Sequence, residues 1–231
     1  MTTSTVEDYP PLLSLAVHEF RTPASVVGGY LRMLVRDPEL TDRQRKMIEE
    51  AEKSCARLVA IVAELSDIGK LDSGAIAIAR QPLDLFALTA EVAELVQEGK
   101  DREVHLVVRG PESGAPIVGD VTRLRHALDA IFRAILREKA GPATVVAERR
   151  VVRNGGSSAA VIVVAEENSV VAAYEAPAGV FDEKRGGLGL ALPLARRVIK
   201  GHGGDLWSAA EPDALARGSI ILRVPMTETN R

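Results

Sequence analysis

A single cysteine, Cys55, in a chain of 231 residues leaves no partner for an internal disulfide and excludes a multi-cysteine zinc site. Histidine is nearly as scarce. His18, His105, His126 and His202 are too scattered for metal-ligand spacing, so no metal site is expected. Aromatic residues make up 3% of the chain, so its cores must be built from Leu, Val, Ile and Ala. No apolar run approaches the roughly 20 residues of a membrane span. Residues 1–10 carry neither the positive charge nor the apolar stretch of a signal peptide, so the cytoplasm is the expected address. Charge of one sign is lacking too: the net charge is −3, and no Lys/Arg cluster interleaves with aromatics. Nucleic-acid binding is not expected.

What is present is the composition of an ordinary globular protein, 46% hydrophobic and 26% charged, long enough for one large domain or two smaller ones. The first segment places apolar residues at Leu13, Val17, Phe20, Ala24, Val27, Leu31 and Leu34, in steps of four and three that mark one face of a helix. Asp37-Pro38 stops it, because the residue before proline avoids the α region. Thr41 and Gln44 form a capping box that opens a second helix. Its stripe runs through Met47, Ala51, Ser54, Leu58, Ile61, Leu65 and Ile68, and Ser73-Gly74 closes it. A lone hairpin of two such helices leaves much apolar surface wet. Pairing with a second copy into a four-helix bundle is the stable solution, so a homodimer is expected; packing of the hairpin on the rest of the chain is the alternative.

Beyond Gly74 the period changes. Runs at 75–79, 104–108, 143–152, 159–165 and 219–224 read as strands, and segments at about 85–97, 121–139 and 188–200 as helices. Arg153-Asn154-Gly155-Gly156 reads as a tight hairpin turn. The fold class is α+β: a helical hairpin over residues 1–73, then an α/β sandwich over residues 74–231 with helices on one face of a mixed sheet.

One motif is specific. His18-Glu19-Phe20-Arg21-Thr22-Pro23 lies in the first helix. With Val17 and Phe20 on the apolar stripe, His18 faces outward, its imidazole free to attack a phosphoryl group. Glu19 can take a proton from the other ring nitrogen and fix the tautomer. Thr22 shares the face of His18 one turn on. Pro23 removes a backbone hydrogen bond at Glu19, so a bend is expected there. The hexapeptide resembles the phosphoacceptor box of the bacterial two-component sensor histidine kinases, which dimerise through a helical hairpin. The resemblance makes His18 the phosphoacceptor. It also implies that Thr22 orients the water that hydrolyses a partner's aspartyl phosphate.

The resemblance extends into the second domain and makes it an ATPase-like fold, but there the motifs erode. The stretch from Asp120 to Leu124 resembles the start of the family's asparagine-box helix. The position of the Mg²⁺-binding asparagine is taken by Ala134, and a methyl group cannot ligate a hard cation. The Asp-x-Gly-x-Gly box, whose Asp holds the adenine amino group, reads Glu166-Glu167-Asn168-Ser169-Val170. Glu166 keeps the carboxylate, whereas Val170 puts a branched side chain where a glycine lets the backbone approach the base. The segment 171–185, the counterpart of the ATP lid, is short. Only Gly186-Gly187-Leu188-Gly189-Leu190-Ala191 is kept, a glycine-rich turn at a helix start that suits phosphate. Glu166, Gly187 and Gly189 are thus the cofactor-binding candidates, for Mg-ATP only if the eroded site still works.

Three functions stay open on the sequence. The first is a protein that carries or relays phosphate through His18 to or from the aspartate of a response-regulator receiver domain. The second is an ATP-dependent histidine kinase with a divergent site. The third is a non-catalytic scaffold for a regulator or kinase. With so short an N-terminus, input is expected from a separate sensor or kinase. Arg133 and Arg137 read as a solvated face or as phosphate contacts, His105 and His126 as satisfied structural histidines, and Trp207 as core.

Overall fold

The computed structural model describes residues 9–154, 156–210 and 218–227, and divides into two compact units, Met1–Ile76 and Ala77–Arg231. The first is a hairpin of α1 (Tyr9–Val35) and α2 (Asp42–Asp72). The capping box is formed: the Gln44 amide donates to Thr41 Oγ1 (3.3 Å) and the Thr41 amide to Gln44 Oε1 (3.0 Å). Arg45 ties the connection by donating to the carbonyls of Val35 (2.6 Å) and Asp37 (3.1 Å), two groups left over at the end of α1. Where the helices meet, Val17, Cys55, Val62 and Ile68 are buried, and Cys55 Sγ donates to the Ala24 carbonyl at 3.1 Å.

The apolar stripe divides along its length. Leu13, Val17, Ala24 and Leu31 turn toward α2 and are buried or half-buried. Phe20 (63% exposed), Val27, Leu34, Met47 and Leu58 stay open in the single chain. Phe20 therefore does not share the buried face of Val17. One hairpin covers only half of a stripe this wide.

In the second unit a six-stranded sheet has the order β2-β4-β5-β8-β7-β6: β2 (Val104–Arg109), β4 (Ala143–Asn154), β5 (Ser157–Glu166), β6 (Ala178–Gly179), β7 (Asp205–Ala209) and β8 (Ile220–Pro225). Only the β2–β4 pair is parallel. A separate two-stranded ribbon joins β1 (Gln81–Asp84) to β3 (Pro116–Gly119). Residues 75–79, expected as a strand, form none: the Ile76 amide donates to the Lys70 carbonyl and the Ala79 amide to the Asp120 carboxylate (both 3.4 Å), not to a neighbouring strand. In the β4–β5 hairpin Asn154 pairs with Ser157, and Gly156 has φ +92°; the expected turn residue Gly155 lies outside the described residues.

One sheet face is covered by α3 (Leu85–Leu95), α4 (Val121–Arg137) and α6 (Ala191–Gly201). Helix α4 turns Leu124, Leu128, Ile131 and Ile135 inward, all fully buried, in the 3.6-residue period its sequence carries. Its start is fixed at Asp120, whose carboxylate caps the Arg123 amide (3.0 Å) and whose own amide donates to His202 Nε2 (2.9 Å). The other sheet face is not bare. A short helix, α5 (Val170–Glu175), sets Val170 and Ala173 against Val146, Val161, Val163 and Ile221, with half-buried Trp207 packed alongside.

Candidate functional site

His18 stands on the outside of α1, its side chain 76% exposed. Glu19 Oε1 lies 3.4 Å from Nδ1, and among the described residues no group bonds Nε2. A carboxylate beside Nδ1 favours the tautomer with its proton there, leaving the Nε2 lone pair directed to solvent. The Thr22 hydroxyl donates to the His18 carbonyl at 3.4 Å, and Pro23 sits inside the helix. The three residues expected to act together thus share one short stretch of exposed helix. The arrangement can accept a phosphoryl group at Nε2 while Glu19 balances charge at Nδ1.

The residues expected to meet a nucleotide are arranged otherwise. Ala134 is fully buried on α4. A Cβ on Gly186 (φ +62°) would stand 2.7 Å from the Ala134 Cα and 2.8 Å from its carbonyl oxygen, so the glycine-rich turn rests directly on the helix. Glu166, at the end of β5, pairs with Lys139 Nζ at 2.6 Å. Val170 is 3% exposed and anchors α5 in the core cluster, so it acts as a packing residue. Gly187 and Gly189 are exposed at positive φ with nothing within 4 Å of their Cβ positions. The site thus offers two open glycines, no metal-ligating side chain at position 134, and a carboxylate already paired. Among the described residues no group of three His, Cys, Asp or Glu side chains could hold a metal ion.

Sequence reasoning missed Arg185, Glu138 and Lys139. Arg185 is buried, and its guanidinium grips the Glu138 carboxylate through Nε (2.8 Å) and Nη2 (2.5 Å). The only sequence signal was an arginine abutting a Gly-Gly turn, and nothing in linear spacing pairs it with a glutamate of another element. Arg133 and Arg137 reach Glu98, at 3.6 and 2.9 Å. Burial pushes the Glu98 carboxyl up, but the Arg137 and Arg133 guanidinium groups outweigh it and hold the value below normal. His105 and His126, read as satisfied structural histidines, are both exposed. His202 plays that part, accepting from Asp120 at Nε2 and bonding the Val198 carbonyl at Nδ1 (2.7 Å).

Residues 12–74 match the His Kinase A (phospho-acceptor) domain. The BarA signal transduction histidine-protein kinase of Escherichia coli K12 is 26% identical over 216 residues, which span 88% of this chain and 23% of that protein. These likenesses support a place in the two-component sensor histidine kinase family. It spans about a quarter of the length of the curated relatives it matches. Full-length ShkA, solved with AMPPNP, has the same fold, with a TM-score of 0.70 and 23% identity over 96% of this chain and 47% of that one. ThkA, solved with the response regulator protein TrrA, gives 0.52 and 17% over 94% of this chain and 61% of that one. Among the described residues no helix is long and apolar enough to cross a membrane.

Proposed function

We propose that this chain carries phosphate through His18, exchanging it with the aspartate of a response-regulator receiver domain without using ATP. The observation that carries the reading is the exposed His18 ring with Glu19 against Nδ1. In the inward direction the Nε2 lone pair attacks phosphorus of an aspartyl phosphate, the P–N bond forms, and the P–O bond to the aspartate breaks with its carboxylate leaving. The outward direction reverses each step. Glu19 holds the Nδ1 proton and stabilises the cationic phosphohistidine ring. Thr22 acts in the opposing hydrolysis, positioning water toward the receiver's phosphate. That ThkA was solved with a response regulator supports a receiver domain as partner.

The functional unit is a homodimer in which the open halves of two stripes meet as a four-helix bundle, which would cover Phe20, Val27 and Leu34. The sealed contact of Gly186 with Ala134 and the Lys139–Glu166 pair support loss of ATP binding. An ATP-driven kinase is favoured only by the open Gly187 and Gly189, and these offer neither a metal ligand nor a base-recognition group. Incubation with labelled ATP and Mg²⁺, beside incubation with a labelled phospho-receiver, separates the two. Label from the receiver alone is expected. Label from ATP would overturn the proposal.

A further inference from the structure

The charged groups around the glycine-rich turn form one connected set. All five N–H donors of Arg185 are used: Nε and one of Nη2 on the Glu138 carboxylate, the other of Nη2 on the Gly218 carbonyl (2.9 Å), and those of Nη1 on the Ser219 carbonyl (2.8 Å) and Ser208 Oγ (3.5 Å). Glu138 lies four residues after Ala134, just beyond the end of α4, and Gly186 follows Arg185 in the chain. The turn is therefore pinned to α4 at two adjacent points, by backbone contact at Ala134 and by a forked ion pair at Glu138. One residue on, Lys139 binds Glu166 at the end of β5. A guanidinium buried this deeply and bonded at every donor is a fixed part of the structure, unlike an exposed surface pair.

We infer that Arg185 is an internal substitute for a ligand: its ion pair with Glu138 holds the glycine-rich turn closed on α4, so the second unit keeps its shape without nucleotide. The inference rests on reading this turn as a former nucleotide cradle. Glu138 and the carbonyls of Gly218 and Ser219 then make a cavity shaped for a guanidinium cation, filled from within by the chain. An anionic phosphate meets a carboxylate and two carbonyl oxygens there, the wrong chemistry for binding it.

Hydrogen exchange on the full chain tests this. In the wild type, amides of residues 183–190 should exchange slowly and be indifferent to millimolar Mg-ATP. Arg185→Ala should speed exchange there by about tenfold or more, as expected for local opening, and leave residues 12–74 unchanged. Methylguanidinium at millimolar concentration should refill the cavity and slow exchange again in that variant. If Arg185→Ala does not fold, Glu138→Gln, which keeps the shape and removes the charge, is read in the same way. Unchanged exchange in the folded variant, or slowing by Mg-ATP in the wild type, overturns the inference. Neither result touches phosphate transfer at His18, which is measured separately.

Discussion

Gly186 rests on Ala134 with no room between them: a Cβ added to the glycine would fall 2.7 Å from the alanine Cα. On the proposed reading this contact closes the turn to a metal-bound triphosphate. Calorimetric titration of the wild-type protein with Mg-ATP should therefore give little or no heat. Ala134→Asn alone should not restore binding, because the longer side chain meets the turn while Lys139 still holds Glu166. A micromolar dissociation constant for either protein would show that the turn lifts readily.

The second prediction concerns assembly. Phe20 is 63% exposed in the single chain, so replacing it disturbs little within one hairpin, yet it lies on the face offered to a second copy. Light scattering of the wild type should give twice the chain mass of 24.7 kDa. Phe20→Glu with Val27→Glu places charges in the bundle core and should reduce that to a single chain mass, with helicity largely kept. A wild type that scatters as a single chain would sink the proposal.

Stability should respond to acid through Asp84. Burial raises the pKa of this carboxyl, but the amides of Gly114, Ala87, Phe86 and Ala115 donate to it and bring the net value below normal. A lowered folded pKa means stabilisation fully present above the unfolded value near pH 4 and lost as pH falls through the folded one. At neutral pH Asp84→Ala should cost about 2 kcal/mol, from the lost cap of α3 and the amides left unpaired. Denaturation followed by the fluorescence of Trp207 should show the gap between variant and wild type narrowing below about pH 4. A gap independent of pH would mean that the carboxylate charge contributes nothing.

The elements with a long period were legible in the sequence: both hairpin helices, α4 with its alternating faces, and the β4–β5 pair. Strands β1 and β3 were not, since Pro82, Pro116 and Gly119 interrupt any pattern in runs of four residues. Helix α5 was hidden because Val170 was read against a lost glycine, whereas its side chain packs into a core that β4, β5 and β8 form only once the sheet is assembled. At the site, Ala134 and Glu166 were visible as departures from a motif. What replaced the motif was not, because Arg185 and Glu138 lie on separate elements and meet only through the fold.

The last prediction tests His18 directly. If it carries phosphate, label from a phospho-receiver should appear on this chain as an acid-labile, base-stable adduct, the signature of a P–N bond. His18→Gln should abolish the label and leave the fold intact, because a side chain that is 76% exposed contributes little packing. Glu19→Gln keeps a hydrogen-bonding group near Nδ1 but removes the charge that stabilises the phosphorylated ring, and should slow transfer by about 10²-fold. Thr22→Ala should spare transfer, since its hydroxyl bonds the His18 carbonyl rather than the ring, while reducing dephosphorylation of the receiver. These three effects differ in kind: loss of the acceptor, a slower step, and a shift between transfer and hydrolysis. Label that survives His18→Gln would move the acceptor elsewhere on the chain, and with it the role assigned to Glu19.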